Sequence, residues 1–307
     1  MIIAAAPEGM SMTELWAALF DPYLPFLRYA LITGLLASVS FGVIGTFVVV
    51  RRITYIAGAI SHCVLAGIGA GLYLQTVVGI PWISPVRGAV LVALLAALVL
   101  AQVSKKAGQR EDSVIGALWA GGMSVGFLFI AVTPGYFDPM SYLFGNILLI
   151  SKEDISFVLT LDLVILSVVG IFYNKLVALC FDEEYTLLRG VHTRWLYLLL
   201  LCLTALTIVL LVRIVGIIMV IALLTLPAAI AGNMASGIRR MMALATLFSA
   251  LFIIGGLGLS FSFDLPSGSV IILLAATCYL LSLQCTVTRR RQQRKTLCTE
   301  KQCQEKT

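Results

Sequence analysis

An all-α, polytopic transmembrane helical bundle of eight or nine spans is the fold class this sequence predicts, on three observations. The 307 residues are 60% hydrophobic and 12% charged, whereas an ordinary soluble domain is about a quarter charged and under half apolar. So little polar surface cannot cover a soluble core of this size. The apolar residues fall in runs of about twenty, the length a helix needs to cross the hydrocarbon, and the shorter alternating segments of a β-barrel are not visible. The basic residues stand in short clusters between those runs. That is a topology signal rather than a binding stripe, so the net charge of +6 does not argue for a nucleic-acid partner.

Residues 1–25 carry Glu8, Glu14, Asp21 and three prolines, with no positive region ahead of an apolar stretch. An outer segment without a cleaved signal peptide is expected there. A transmembrane domain is expected over 26–288 and a basic cytoplasmic tail over 289–307. Hydropathy places the first span at Phe26–Val50, stopped by Arg51-Arg52, and the second at Ile53–Leu74. The third is Val86–Val103, followed by Lys105-Lys106 and Arg110, and the fourth Ser113–Thr133. Pro134 to Pro139 is a break. Tyr142–Ile150 is apolar but too short to span, which suits a re-entrant or interfacial piece. The fifth span is Ile155–Tyr173, the sixth Trp195–Val212, the seventh Ile214–Ala231, the eighth Met241–Ser262 and the ninth Ser269–Thr286. The sixth and seventh meet at Arg213 with almost no loop, so one bent or broken unit and eight spans stand as an alternative.

Orientation follows from the basic residues. With Arg51-Arg52 inside and nine crossings, seventeen of the 21 Lys and Arg face the cytoplasm, leaving Arg28, Arg87, Lys152 and Arg213 outside. The bias supports an outer N-terminus and an inner C-terminus. The expected location is a bacterial inner (cytoplasmic) membrane, crossed several times, with membrane lipids as neighbours. Seven cysteines without a CxxC pair read as buried packing or free thiols rather than disulfides or a zinc cage. Gly67/Gly71 and Gly122/Gly126 form GxxxG pairs, and Gly255, Gly256 and Gly258 cluster in the eighth span. Such residues let helix backbones approach closely in lipid.

Few residues offer chemistry. No phosphate-binding GxxxxGK[ST] occurs, so any ATP must bind another chain. Paired catalytic groups are scarce, which argues against an intramembrane enzyme. Two ionisable residues lie within spans: His62 in the second and Asp162 in the fifth. A polar group at that depth is costly, and it faces the bundle interior, a partner or a pathway. Imidazole and carboxylate suit zinc, manganese or iron(II), so both are candidate metal ligands. For each, hydrogen bonding to a neighbouring helix is the competing reading. His192 lies in a polar loop and reads as solvated. Asp182 to Val191 is a short amphipathic stretch with acids first and Arg189-Gly190 last, which suits the helix dipole and a glycine stop. It reads as a solvated surface helix or a docking helix for a cytoplasmic partner.

Five segments together resemble the permeases of ATP-binding-cassette importers of the zinc, manganese and iron (metal-ion) family. They are Ala59-Ile60-Ser61-His62; Leu143-Phe144-Gly145-Asn146-Ile147-Leu148; Glu184 to Val191; Val215-Gly216-Ile217 through Ala222-Leu223-Leu224-Thr225-Leu226-Pro227-Ala228-Ala229; and Asp264-Leu265-Pro266-Ser267-Gly268. The resemblance covers about Phe26 to Thr286. It implies a non-enzymatic membrane permease subunit for import of a divalent metal (Mn, Zn or Fe), with no permanently bound cofactor and with ATP on a partner subunit. It implies a cytoplasmic ATP-binding subunit coupled through Glu184, Tyr185, Leu187, Leu188, Gly190 and Val191. A periplasmic or lipid-anchored metal-binding protein and a second permease copy, or a related permease chain, are implied as well. The family's second-span histidine corresponds to His62, and its aspartate position to Gly58, which offers no ligand. Ser61, Cys63, Asp162 or a partner copy are candidate second ligands. An ion-coupled secondary transporter working without an ATPase is the alternative. Broken helices and several membrane acids would mark it, and one candidate acid is visible.

Overall fold

The computed structural model describes residues 25–106, 111–135, 143, 145, 152–263 and 265–284. Their helices, in chain order, are α1 (Pro25–Val50), α2 (Thr54–Thr76), α3 (Pro85–Lys106), α4 (Glu111–Val132), α5 (Lys152–Phe181), α6 (Glu183–Leu188), α7 (Thr193–Val215), α8 (Ile217–Met234) and α9 (Ile238–Phe263), with α10 at Ser267–Gln284. All but α6 are long and apolar enough to cross a membrane, giving nine candidate spans among the described residues. The short apolar piece at 142–150 lies outside the described residues except for Leu143 and Gly145, and so do the N-terminal segment to residue 24 and the tail from residue 285.

The sixth and seventh spans meet at a break of one residue, and the helices on either side are each long and apolar enough to cross a membrane. Hydropathy puts the junction of the sixth and seventh spans at Arg213. The helix continues to Val215 and breaks at Gly216, which has φ 83 and ψ 158. That region of backbone space is essentially open to glycine alone. Its amide still bonds to Val212 O at 2.9 Å while Val220 N already bonds to Gly216 O at 3.0 Å, so one helix ends and the next begins without a loop.

The other departure is the length of α5. Hydropathy puts its end at Tyr173. The helix runs on to Phe181 because Leu176 and Leu179 are fully buried and Lys175 folds its ammonium back over the Phe172 ring, 5.6 Å from its centroid. A long side chain lies along apolar surface in this way without ending a helix. At about 1.5 Å per residue, these 30 residues span more than the roughly 30 Å hydrocarbon core.

The bundle is built around α2, the most enclosed of the spans. It packs chiefly against α4 and α3, while α1 packs against α9, α8 and α5, and α7 joins the two groups through α3, α5, α8 and α2. The tightness of the α2–α3 contact comes from glycine. A Cβ on Gly67 would lie 2.4 Å from Gly88 O, and one on Gly88 would lie 2.2 Å from Gly67 O. On the opposite side of α2, a Cβ on Gly69 would lie 2.6 Å from Gly126 O of α4. The expected glycine packing is thus present, and it uses backbone-to-backbone contact where lipid provides no hydrophobic drive between helices.

Three basic clusters meet at one end. Arg51, at the end of α1, pairs with Glu183 of α6 and donates to Leu179 O of α5 at 3.1 Å. Arg239, at the start of α9, lies over the Tyr173 ring of α5 at 5.3 Å. The α1–α2, α5–α7 and α8–α9 connections therefore share one side, as the basic residues predict.

Gly216→Ala should strain the α7–α8 junction and destabilise the protein by about 1–3 kcal/mol. Thermal unfolding in detergent checks this. Gly170, whose Cβ direction is open, provides the tolerant control.

Candidate functional site

His62 sits midway along α2 and is 8% exposed. The run Ala57-Gly58-Ala59-Ile60-Ser61 before it is buried throughout, so helix geometry carries the imidazole into the bundle. Its ring stacks on the indole of Trp119 from α4, with centroids 4.4 Å apart and planes 20° from parallel. Tyr55, two turns earlier, meets the same indole at 6.1 Å. The Nδ1 of His62 is buried and has no hydrogen-bond partner. A buried polar atom left unpaired costs about 1–3 kcal/mol. An unpaired imidazole nitrogen is also a free metal donor.

Asp162 is 4% exposed on α5. Ser40 of α1 donates its hydroxyl to Oδ1, and Oδ2 is buried without a partner. The structure therefore does not bring the two sequence-predicted ligands together. His62 belongs to the α2–α4 interface and Asp162 to the α1–α5 interface. The other proposed second ligands are engaged locally. Ser61 Oγ donates to Ala57 O at 2.9 Å, and Cys63 Sγ to Leu118 O at 3.2 Å. Among the described residues, no group of three or more His, Cys, Asp or Glu is placed to hold a metal ion. Two cavities, of about 440 and 490 Å³, are lined by Ile68, Gln75 and Val209 and by Tyr173, Phe181 and Arg239 among others. Neither includes His62 or Asp162.

Position 58 explains the arrangement. It lies one helical turn before His62, on the same face. A Cβ there would come 3.1 Å from Cζ3 and 3.4 Å from Cη2 of Trp119. The indole crowds position 58 and would have to shift by a few tenths of an ångström to admit a side chain there. Trp119 was invisible to the sequence reading because its role is a contact between helices. The only local signal is a large aromatic set among Gly116, Ala117, Ala120 and Gly121.

At the basic end, α6 is built as its sequence suggests. Asp182 caps it by accepting from Tyr185 N at 2.9 Å. Gly190, at φ 75, ends it, with Val191 N bonded to Thr186 O at 3.3 Å and Gly190 N to Leu187 O at 3.0 Å. That pairing is a glycine-terminated helix end. Thr186 and half-buried Val191 face the bundle, while Glu184, Tyr185, Leu187 and Leu188 face out, Leu188 at 86% exposure. Arg189 lies over the Tyr185 ring at 4.9 Å. His192 is exposed ahead of α7, as expected of a solvated residue.

Comparison with known proteins places this geometry. The family model described as "ABC 3 transport family" matches residues 23–286. A probable metal transport system membrane protein of Chlamydia trachomatis is 37% identical over 275 residues, 89% of this chain and 92% of that protein. The manganese transport system membrane protein MntC of Listeria innocua is 31% identical over 257 residues, 84% of this chain and 89% of that protein. Among solved structures, PsaBC from Streptococcus pneumoniae in complex with Fab superposes with a TM-score of 0.78 at 30% identity, covering 89% of this chain and 95% of that one.

Removing the hydroxyl that serves Asp162 leaves both carboxylate oxygens unbonded, so Ser40→Ala should lower stability by about 1–3 kcal/mol. Asp162→Asn retains an acceptor for Ser40 and should cost less. Unfolding midpoints of the two variants in detergent decide between these orders.

Proposed function

Since the chain belongs to the ABC 3 transport family, as a multi-pass bacterial membrane permease that is not itself catalytic, we propose that it is the transmembrane subunit of an ATP-driven importer of a divalent transition metal. Manganese, zinc and iron(II) are the cargo class. The observation that carries this reading is α6. It is an apolar knob of Tyr185, Leu187 and Leu188 beyond the spans, capped by Asp182 and tied to α1 through Arg51 and Glu183. An exposed apolar patch in a defined place is a partner surface. Its position at the basic, cytoplasmic end makes the partner a cytoplasmic ATP-binding subunit.

The mechanism follows from how the parts are joined. An extracytoplasmic binding protein delivers the metal to the outer face of a dimer of permease chains, either two copies of this one or one with a related sister. Closure of the ATPase pair moves α6. The ion pair to Arg51 and the continuous helix of α5 pass that movement into α1 and, through Asp162 and Ser40, along the α1–α5 contact. Rigid-body motion of packed helices between two arrangements is a known route to alternating access. His62 offers the cargo one imidazole nitrogen in transit. Gly58 offers no donor, Ser61 and Cys63 are engaged and Asp162 lies in another interface, so the sister chain is the better source of a second one. Weak binding serves a relay, because release matters as much as capture. The secondary-carrier alternative gains no support, since Asp162 stands by itself in the α1–α5 interface and the family is that of ATP-binding-cassette permeases.

Two outcomes are expected. Tyr185→Asp or a proline at Leu187 should abolish co-purification of the ATP-binding subunit while the protein still inserts. Retained association would remove α6 from the interface. In proteoliposomes with the ATPase and binding protein, His62→Ala should reduce uptake of radiolabelled metal at low metal concentration. Uptake unchanged at every concentration would return His62 to packing.

A further inference from the structure

We infer that the basic end of the bundle holds the phosphate of an anionic phospholipid, in the cavity between the end of α5 and the start of α9. The inference takes from the importer reading nothing but the orientation of the chain, which the basic residues supply.

The cavity, of about 490 Å³, is lined by Tyr173, Val177 and Phe181 of α5 and by Ser236, Arg239 and Arg240 at the start of α9. That is the size of a small-ligand site. Its charge is of one sign. Arg239 lies over the Tyr173 ring at 5.3 Å, and Arg240 donates to Ser236 Oγ at 3.1 Å. Among the described residues, neither is paired with a carboxylate, and no acidic residue lines the cavity. The acids that follow Phe181 are engaged elsewhere, Asp182 in capping α6 and Glu183 in the pair with Arg51. A ring face and one hydroxyl leave most of the five N–H donors of each guanidinium unused. The planar fork they form matches a phosphate, which it can hold by two parallel hydrogen bonds.

Two apolar stripes lead away from the arginines and make a lipid the source of that phosphate. On α5, Val177 and Tyr173 continue at three- and four-residue spacing into Gly170, Leu166 and Leu163, which share their face. Leu163 is 57% exposed, and the Cβ direction of Gly170 is open. On α9, Arg240 shares its face with Leu247, Leu251 and Ile254, all exposed. Both helices pack against α1, and both stripes run from the guanidiniums towards the middle of the membrane. A free phosphate ion would use the charged end alone. An acidic segment of a cytoplasmic partner would meet the arginines and leave the stripes bare. A phospholipid uses both, its phosphate on Arg239 and Arg240 and its chains along α5 and α9. Tyr173 then stands at headgroup level, where amphipathic rings settle. Basic pockets between spans on the cytoplasmic side recognise anionic headgroups in this way.

The full chain in detergent is titrated with phosphatidylglycerol or with phosphatidylcholine of the same acyl chains, and bound lipid is counted by native mass spectrometry. Phosphatidylglycerol should stay bound and raise the unfolding midpoint, and phosphatidylcholine should need about tenfold more. Arg239→Gln with Arg240→Gln should weaken phosphatidylglycerol binding by about 30-fold, whereas Arg239→Lys with Arg240→Lys should keep most of it. Lys175→Gln with Arg194→Gln removes the same charge from the same side of the membrane outside the cavity, and should weaken binding by less than about threefold. Glycerol 3-phosphate, which carries the phosphate without the chains, should leave the midpoint unchanged. Equal retention of the two lipids, binding that survives the Arg239→Gln, Arg240→Gln change, an equal loss in the charge-matched control, or an equal midpoint rise with glycerol 3-phosphate would overturn the inference. So would a double variant that keeps the lipid and loses the ATP-binding subunit, since the cavity would then belong to that partner.

Discussion

The close approach of backbones on two sides of α2 is the constraint from which the remaining structure follows. Gly67 against Gly88 on one side and Gly69 against Gly126 on the other leave no room for side chains at those crossings. In lipid, such contact is the principal source of attraction between helices. It fixes the rotation of α2, and the rotation of α2 decides where His62 points. The imidazole enters the α2–α4 interface and lies on Trp119. A residue costly to bury is thereby held at membrane depth with one nitrogen unused.

The second organising feature is the path from α6 into the bundle. A six-residue helix has little stability of its own. Its position comes from the Asp182 cap, the Gly190 end and the Arg51–Glu183 pair. A surface pair of this kind contributes little to folding energy, so its effect is geometric. It joins the end of α1 to α6, while Arg51 also donates to Leu179 O near the end of α5, and α1 and α5 share the Ser40–Asp162 hydrogen bond as well. One pair of helices is thus linked at the basic end and at depth, an arrangement suited to carrying a displacement.

The spans were legible in the sequence because each is a run of apolar residues bounded by charge or by glycine and proline. The boundaries that moved did so for local reasons. The fifth span runs past Tyr173, and Lys175 lies along Phe172. Arg213 looked like a junction, and the break belongs to Gly216, whose backbone only glycine adopts easily. The cap and stop of α6 were readable for the same reason, being short-range. The environment of the two buried ionisable residues was not readable. Ser40 and Asp162 are far apart in sequence, as are His62 and Trp119, and nothing in a periodic apolar pattern says which faces meet. The absence of a ligand at Gly58 was visible, but that an indole crowds the position was not.

In the proposed mechanism this chain moves metal only when an ATPase drives it. The most direct measurement is metal entry into proteoliposomes holding the permease, its ATP-binding subunit and the binding protein, with energy supplied one source at a time. Entry with ATP and no ion gradient, abolished when a non-hydrolysable analogue replaces ATP, is the result the account predicts. Entry driven by a proton or sodium gradient without ATP would contradict it and make the chain an ion-coupled carrier.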